Sequence, residues 1–176
     1  MGRETLRLFF ALWPDAAMRA AMAPHARAIA TRCGGREVGV PNLHLTLVFL
    51  GERTHEEARS IGARAAAIAF PSFQLTLDKA GSWRRAAVAW LGASNAPPTL
   101  TALHSALLAM LVEEGVTIET VHYHPHVTVA RHITSPIAEP LVPPIAWTVG
   151  ALSLVRSELA PSGAQYQVMG TWPARG

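Results

Sequence analysis

The chain contains several short stretches in which apolar and polar residues alternate, and a two-residue period of this kind predicts β-strands. Apolar residues recur at helical spacing in three other stretches. Asp15 and Thr54 are typical capping residues at the start of two of them, and Glu57 completes a capping box with Thr54. The predicted strands are residues 7–12, 43–50, 73–77, 87–91, 127–130, 147–156 and 164–171, and the predicted helices are residues 16–32, 54–69 and 99–114.

Prolines and glycines mark the breaks between these elements. Four prolines lie between positions 136 and 144, and proline cannot donate a backbone hydrogen bond to a sheet. Residues 136–144 are therefore predicted to form a loop. Residues 161–163, which read Pro-Ser-Gly, are predicted to connect the last two strands.

The order of the elements mixes strands between helices with hairpins, which predicts an α+β fold with a largely antiparallel sheet. The order strand, helix, strand occurs twice, over residues 7–50 and 87–130. We interpret this weak repeat as an internal duplication that places the closing strands of both copies side by side around a pseudo-twofold axis.

Both closing strands carry the same four-residue pattern. Residues 44–47 read His-Leu-Thr-Leu and residues 126–129 read His-Val-Thr-Val. Successive side chains of a strand point to opposite faces. Each strand therefore buries its aliphatic residues and presents a histidine and a threonine on the other face. If the strands are neighbours, one cleft receives two histidines and two threonines.

Such a set of groups suits the hydrolysis of a cyclic phosphodiester. One group must take a proton from the attacking water, and another must give a proton to the departing ribose oxygen. Histidine suits both roles because its pKa lies near neutrality, and each role typically contributes ~10²–10⁴-fold in rate. His44 and His126 are therefore predicted as the acid and base, with Thr46 and Thr128 as ligands of the phosphate oxygens. The scheme requires no metal and no other cofactor.

The composition is compatible with this interpretation. Half of the 176 residues are hydrophobic and only 15% are charged, which allows one domain with a sizeable core. The longest apolar runs are too short to span a membrane, and the start of the chain lacks a secretory pattern, so we expect a cytoplasmic protein without membrane contact. The net charge of +3 permits a nucleic-acid ligand without demonstrating one.

Both motifs resemble those of the 2H phosphoesterase superfamily, specifically the RNA 2',3'-cyclic phosphodiesterases formerly called 2'-5' RNA ligases. The resemblance covers nearly the whole chain. It is carried by residues 42–51 and 123–131, and residues 7–11, residues 154–157, Gly163 and Tyr166 are supportive. It implies that residues 1–176 form a single 2H phosphoesterase domain of two pseudo-symmetric lobes. It also implies two antiparallel sheets that line a central cleft, with helices packed outside.

The resemblance also implies roles that spacing alone leaves open. His44 would be the proton donor and His126 the proton acceptor, and the product would be an RNA end with a 2'-phosphate. The old family name reflects the joining of RNA ends through a 2'-5' linkage, the reverse sense of related chemistry. The expected partners are RNA with a 2',3'-cyclic phosphate end, including transfer-RNA fragments, or small cyclic nucleotides. A monomer is sufficient for this design.

The role of Arg131 stays open at this point. As part of a regular strand it would face away from His126 and Thr128, whereas a bend at the strand end would aim it at the phosphate. We therefore consider it both as a phosphate ligand and as a partner in a structural ion pair.

Two other functions compete with the two-histidine mechanism. His122, His124 and His126 alternate, so an extended chain would form a possible metal-ligand array and a metal-dependent hydrolase. That hypothesis leaves the His44 motif unexplained, and we place His124 near the cleft rim and His122 in the preceding loop instead. A non-catalytic RNA-binding module, with Trp83 as a stacking residue, does not require the paired motifs.

Overall fold

The described residues, 4–118, 122–160 and 163–176 of a computed structural model, form three helices and nine strands. The helices are α1 (Ala16–Arg32), α2 (His55–Ala65) and α3 (Pro98–Glu113). The strands are β1 (Thr5–Leu12), β2 (Arg36–Glu37), β3 (Leu45–Thr54), β4 (Phe73–Trp83), β5 (Val88–Gly92), β6 (His126–Arg131), β7 (Ala138–Val149), β8 (Ala151–Ala160) and β9 (Gly163–Pro173).

The strands form one antiparallel sheet in the order β7-β4-β5-β6-β3-β1-β8-β9, and β2 pairs with β6. A single residue pair, Leu45 with Val127, joins β3 to β6 at its centre. We call β3, β1, β8 and β9 the His44 half and β6, β5, β4 and β7 the His126 half. The predicted α+β fold is confirmed. The two sheets that were expected form one continuous sheet, which is joined at this single residue pair.

The helices cover one face of the sheet and cross between its halves. Helix α1 follows β1 of the His44 half but packs against β2 and β6, and α3 connects β5 and β6 of the His126 half but contacts β3. Most of the apolar core, including Leu45 and Val127, lies in one cluster between these helices and the sheet. No helix among the described residues is long and apolar enough to cross a membrane.

Local sequence signals explain the helix starts. The Asp15 side chain accepts a hydrogen bond from the Met18 amide at 2.7 Å, and Thr54 and Glu57 form the predicted capping box. Helix α2 ends at Ala65 instead of the predicted residue 69, because its final alanines are followed by turns that lead to Pro71.

The prediction of a proline-rich loop is wrong. Pro140, Pro143 and Pro144 lie within β7, which is the outermost strand of the His126 half. Proline is tolerated at a sheet edge because an outward-facing amide has no partner there. Residues 147–156 were predicted as one strand, but they are divided between β7 and β8 at Gly150. Residues 161 and 162 of the predicted final turn lie outside the described residues.

The first histidine strand is longer than predicted. It continues beyond Gly51 to Thr54, and Gly51 has a positive φ of 70° at an irregularity in the pairing with β1. Glycine accommodates this left-handed conformation without a steric penalty, so Gly51 bends the strand and does not end it.

Candidate active site

The two motifs meet at the centre of the sheet. His44 immediately precedes β3, His126 begins β6, and the residues that follow them, Leu45 and Val127, pair with each other. Because the pairing is antiparallel, this register sets His44 opposite Thr128 and Thr46 opposite His126. The predicted placement of the two histidine strands side by side is confirmed.

Each motif strand has one buried face and one accessible face. Leu45 and Val127 are fully buried, whereas His44, Thr46, His126 and Thr128 are partly exposed. The alternation follows the two-residue period of the strands. One cleft on the helix-free face therefore receives both histidines and both threonines.

The same backbone contact holds both imidazole rings. His44 Nδ1 lies 2.7 Å from the Asn42 carbonyl oxygen, and His126 Nδ1 lies 2.7 Å from the His124 carbonyl oxygen. A carbonyl only accepts, so Nδ1 carries the proton in each bond. In the neutral rings Nε2 is therefore the free base, and at His44 it accepts from the Thr46 hydroxyl at 3.1 Å.

Aromatic rings enclose His44. Trp13 stacks on its imidazole with ring centroids 5.2 Å apart, and Phe9 and Tyr166 each contact it at 5.0 Å. These contacts exclude water and fix the plane of the ring. Sequence reasoning missed this enclosure, although the two-residue period from Phe9 through Ala11 predicts Trp13 on the same face.

The surroundings of His126 are more polar. Trp83 meets its ring edge-on at 4.5 Å, and His124 lies 6.3 Å away between centroids. His124 also contacts Trp83 and Trp90. Trp83, considered from the sequence as a stacking residue for RNA, is thus part of the wall that supports His126.

An irregularity at the fourth residue of each motif redirects the strand. Thr128 pairs with Trp90 and Ala130 with Ala89, so Val129 is an extra residue in β6. Val129 and Ala130 are both fully buried, which shifts the alternation by one position and returns Arg131 to the face of His126. Among the described residues Arg131 forms no ion pair, and this orientation favours contact with a phosphate.

The His44 half contains the matching irregularity but a different side chain. Leu47 is the extra residue opposite β1, and Leu47 and Val48 are both buried. Phe49, five positions after His44 as Arg131 is after His126, is 66% exposed and lies 5.8 Å from Phe9. An exposed aromatic ring therefore occupies the position that a guanidinium occupies in the other half.

Burial and neighbouring charge lower the pKa of both histidines. Burial, together with the charges of Arg131 and His126, lowers the pKa of His44 from 6.5 to about 4, against the opposing effect of the Asn42 carbonyl. Burial also lowers the pKa of His126, and the charges of His124 and Arg131 add to the effect. Both rings are therefore neutral in the free protein near pH 7.

Histidines 122, 124 and 126 do not converge on a common point. Among the described residues, no group of three histidine, cysteine, aspartate or glutamate side chains has the arrangement of a metal site. His124 instead packs against Trp83 and Trp90 beside His126, and its Nδ1 has no hydrogen-bond partner among the described residues.

This site can be compared with those of known proteins. The model of the 2'-5' RNA ligase superfamily matches residues 14–160, which include both histidine motifs. The chain belongs to this superfamily. The prediction of a 2H phosphoesterase is therefore confirmed, and with it the prediction of an enzyme.

Relatives of this superfamily match over nearly their whole length. The RNA 2',3'-cyclic phosphodiesterase of Escherichia coli (strain K12) is 33% identical, with 96% of this chain and 97% of the relative covered. That of Thermus thermophilus is 32% identical, with 97% and 91% covered. The crystal structure of E. coli LigT complexed with 3'-AMP has a TM-score of 0.86 at 33% identity, covering 98% of this chain and all of that chain.

Proposed function

We propose that this 2H phosphoesterase hydrolyses RNA 2',3'-cyclic phosphate ends to 2'-phosphate ends by metal-independent acid–base catalysis. The observation that carries the proposal is the pairing of two His-x-Thr strands with identically tethered imidazoles. The similarity to the RNA 2',3'-cyclic phosphodiesterases of E. coli and T. thermophilus supports the same substrate.

The proposed reaction is an in-line displacement at phosphorus. His126 Nε2 takes a proton from water as the water oxygen bonds to phosphorus, and the bond from phosphorus to the 3'-oxygen breaks. His44 Nε2–H gives its proton to that oxygen, which becomes the 3'-hydroxyl, and the phosphate stays on the 2'-oxygen. Side chains thus supply the acid and the base, and no step needs a metal.

The charge that develops on the phosphate is met by groups already aimed at the cleft. Thr46 and Thr128 donate hydrogen bonds to the non-bridging oxygens, and the Arg131 guanidinium supplies a fixed positive charge. Preorganised donors of this kind lower the activation barrier because they need no reorientation during the reaction.

His44 can act as the proton donor only if its imidazole takes up a proton when the substrate binds. In the free enzyme its pKa is about 4, so the imidazolium is scarce at neutral pH. The cyclic phosphate is an anion, and an anion close to an imidazole raises its pKa. We therefore expect kcat/KM to have its pH maximum below that of kcat, because kcat/KM reports the free enzyme.

The same leaving group accounts for possible ligation. If the 5'-hydroxyl of a second RNA replaces water as the nucleophile, departure of the 3'-oxygen leaves a 2'-5' phosphodiester bond. Suitable substrates include transfer-RNA fragments and other RNA ends, as well as small cyclic nucleotides. Both histidines belong to one chain, so we propose a single two-lobed domain that acts as a cytoplasmic monomer without membrane contact.

Product analysis tests the proposal. An RNA oligonucleotide with a 2',3'-cyclic phosphate end is incubated with the enzyme, and the end group is identified by nuclear magnetic resonance of phosphorus. A 2'-phosphate is the expected product. A 3'-phosphate would reverse the leaving group, and the absence of turnover would refute the function, leaving a non-catalytic RNA-binding module as the alternative.

The metal-free mechanism needs its own control. The same assay is run after exhaustive chelation and after addition of zinc or manganese. We expect the rate to be unchanged. Loss of activity on chelation and recovery with metal would overturn the mechanism and favour the histidine array at positions 122, 124 and 126.

A further inference from the structure

A second cationic position lies in register with the catalytic site. Lys79 of β4 pairs with Gly92 of β5, and Gly92 pairs with His126 of β6, so the three residues form one row across the sheet. Neighbouring strands are about 4.7–4.9 Å apart, which places the Lys79 backbone about 10 Å from that of His126.

The lysine points to the same face of the sheet as the catalytic residues. Ala80 belongs to the buried core, whereas Trp83 contacts the His126 ring. Alternation along β4 therefore places Lys79 and Gly81 with Trp83 on the cleft face. The positive charge of Lys79 contributes to lowering the pKa of His124, which places that charge near the histidine beside the site.

Lys79 lines a pocket whose wall includes Trp90, and Trp90 contacts Trp83, the ring that meets His126. The pocket has a volume of about 390 Å³ and includes Gly81, Trp90 and Pro140 in its wall. The Trp90 ring lies over Gly81 and Gly92, where a Cβ atom would approach it to 2.3 and 2.8 Å, and it also contacts the rings of Trp83 and His124. The two glycines thus leave room for the indole, which lies between this pocket and the two rings that contact His126.

The lysine is the cation of this pocket that remains available to a ligand. Asp78 accepts a hydrogen bond from the Ser94 amide at 2.7 Å, and Glu139 pairs with Arg32 of α1 at 2.5 Å. The two nearby carboxylates therefore have other partners. Within the described parts of the chain, Lys79 forms no ion pair.

We propose that Lys79 and this pocket bind the phosphodiester on the 5' side of the terminal nucleotide, so that the enzyme prefers an RNA chain to a mononucleoside 2',3'-cyclic phosphate. The inference rests on the proposed function, because it takes the cyclic phosphate to lie between His44 and His126. A chain carries a permanent negative charge at the 5' position, whereas a mononucleoside carries a neutral hydroxyl. The lysine ammonium is a compact charge on a flexible stem, which suits a backbone phosphate that is bound without regard to base sequence.

The test compares two substrates in two variants. The substrates are adenosine 2',3'-cyclic phosphate and the dinucleotide ApA with a 2',3'-cyclic phosphate end. The variants are Lys79→Met and, as a matched loss of one exposed positive charge on the helix-covered side of the molecule, Arg59→Met. We expect Lys79→Met to lower kcat/KM roughly tenfold for the dinucleotide, the effect of one charge-assisted hydrogen bond, and less than about twofold for the mononucleotide.

Two further measurements separate a local contact from a change in the whole enzyme. A dinucleotide with a neutral methylphosphonate linkage should react equally well with the wild type and with Lys79→Met. Lys79→Arg should recover most of the dinucleotide preference, and that preference should decrease with added salt. Equal losses for both substrates, or a methylphosphonate substrate that still responds to the variant, would overturn the proposal.

A direct readout is available because Lys79 is the only lysine in the chain. Acylation of its amine, followed by peptide mass spectrometry, should be slowed by a dinucleotide with a 2'-phosphate end and not by adenosine 2'-phosphate. This assay does not depend on turnover. If the wild type hydrolyses the mononucleotide but shows no preference for the dinucleotide and no protection of Lys79, the inference fails while the proposed function stands. If no cyclic phosphate is hydrolysed, the proposed function fails first.

Discussion

Around His44 the cleft wall is wholly aromatic, formed by Phe9, Trp13 and Tyr166. Around His126 the wall carries, in addition to Trp83, the side chains of Arg131, His124 and, further out, Lys79. The backbone of the two motifs is nonetheless the same, including the carbonyl contact of each ring and the extra residue after each threonine. Backbone geometry therefore aims both imidazoles, and the side chains around them make the two rings chemically unequal.

This difference suggests a division of labour across the cleft. The aromatic His44 half offers ring surfaces to a nucleoside, and the charged His126 half offers cations to phosphates. We infer that the RNA end lies across the junction of the halves, with its base over the first half and its backbone over the second.

The largest effect should come from removing either histidine. We expect His44→Ala and His126→Ala each to lower kcat by about 10²–10⁴-fold, because each removes one proton-transfer step. A substrate with sulfur in place of the 3'-oxygen separates the roles, since a thiolate departs without a proton. Turnover of this substrate should recover in His44→Ala, which lacks the predicted acid, and not in His126→Ala, which lacks the predicted base. Recovery in His126→Ala would exchange the two roles.

The next largest effect should come from replacing Arg131, a change that is confined to the charged His126 half. We expect Arg131→Met to lower kcat about 10²-fold, because a cation near the developing phosphate charge is lost. The pKa values of His44 and His126 should both rise, since Arg131 lowers both. Titration of the histidine ring protons by nuclear magnetic resonance checks this, with Arg59→Met as the control. If neither pKa moved, Arg131 would not face the cleft.

The burial of His44 also predicts how stability depends on pH. The unfolded chain binds a proton at His44 below pH 6.5, whereas the folded chain does so only near pH 4. The unfolded state therefore binds more protons between these values, and the free energy of unfolding falls as the pH falls through this window. The contribution of His44 is roughly 3 kcal/mol over the whole window.

Urea denaturation at a series of pH values measures this dependence. The slope of unfolding free energy against pH should be smaller in His44→Asn than in the wild type between about pH 4 and 6.5. The lowered pKa values of His104, His124 and His126 act with the same sign, so some dependence should persist. Equal slopes in both proteins would show that His44 is not buried in its neutral form.

The smallest effect should come from the aromatic half. We expect Phe49→Ala to raise KM for an RNA substrate about threefold to tenfold with little change in kcat, because stacking binds the ground state and the transition state alike. Phe49→Trp should retain the wild-type KM. An effect of Phe49→Ala on kcat alone would place the nucleoside elsewhere.

The sequence predicted those parts of the site that depend on local patterns. The two-residue period placed His44 with Thr46 and His126 with Thr128, and the Thr54–Glu57 capping box located the start of α2. The direction of Arg131 could not be predicted, because it depends on an extra residue opposite β5 that only strand register reveals. The same holds for Lys79, which enters the row of His126 through pairing across three strands.

The prolines of β7 show a different limit of prediction from the sequence. Their lack of an amide proton correctly indicates weak sheet pairing, but it does not distinguish a loop from an outer strand. That distinction depends on the position of β7 at the end of the sheet, which is a property of the whole topology. The enclosure of His44 by Tyr166 is likewise non-local, since β9 reaches it only through β8 and β1.

The crossing of α1 and α3 has a consequence for how this molecule holds together. Helix α1 packs against the histidine strand of the other half, and so does α3, so a cut between residues 65 and 73 would separate each of these two helices from a strand that it packs against. Within one chain, the two halves thus hold each other by exchanged helices, as the two subunits of a domain-swapped dimer do.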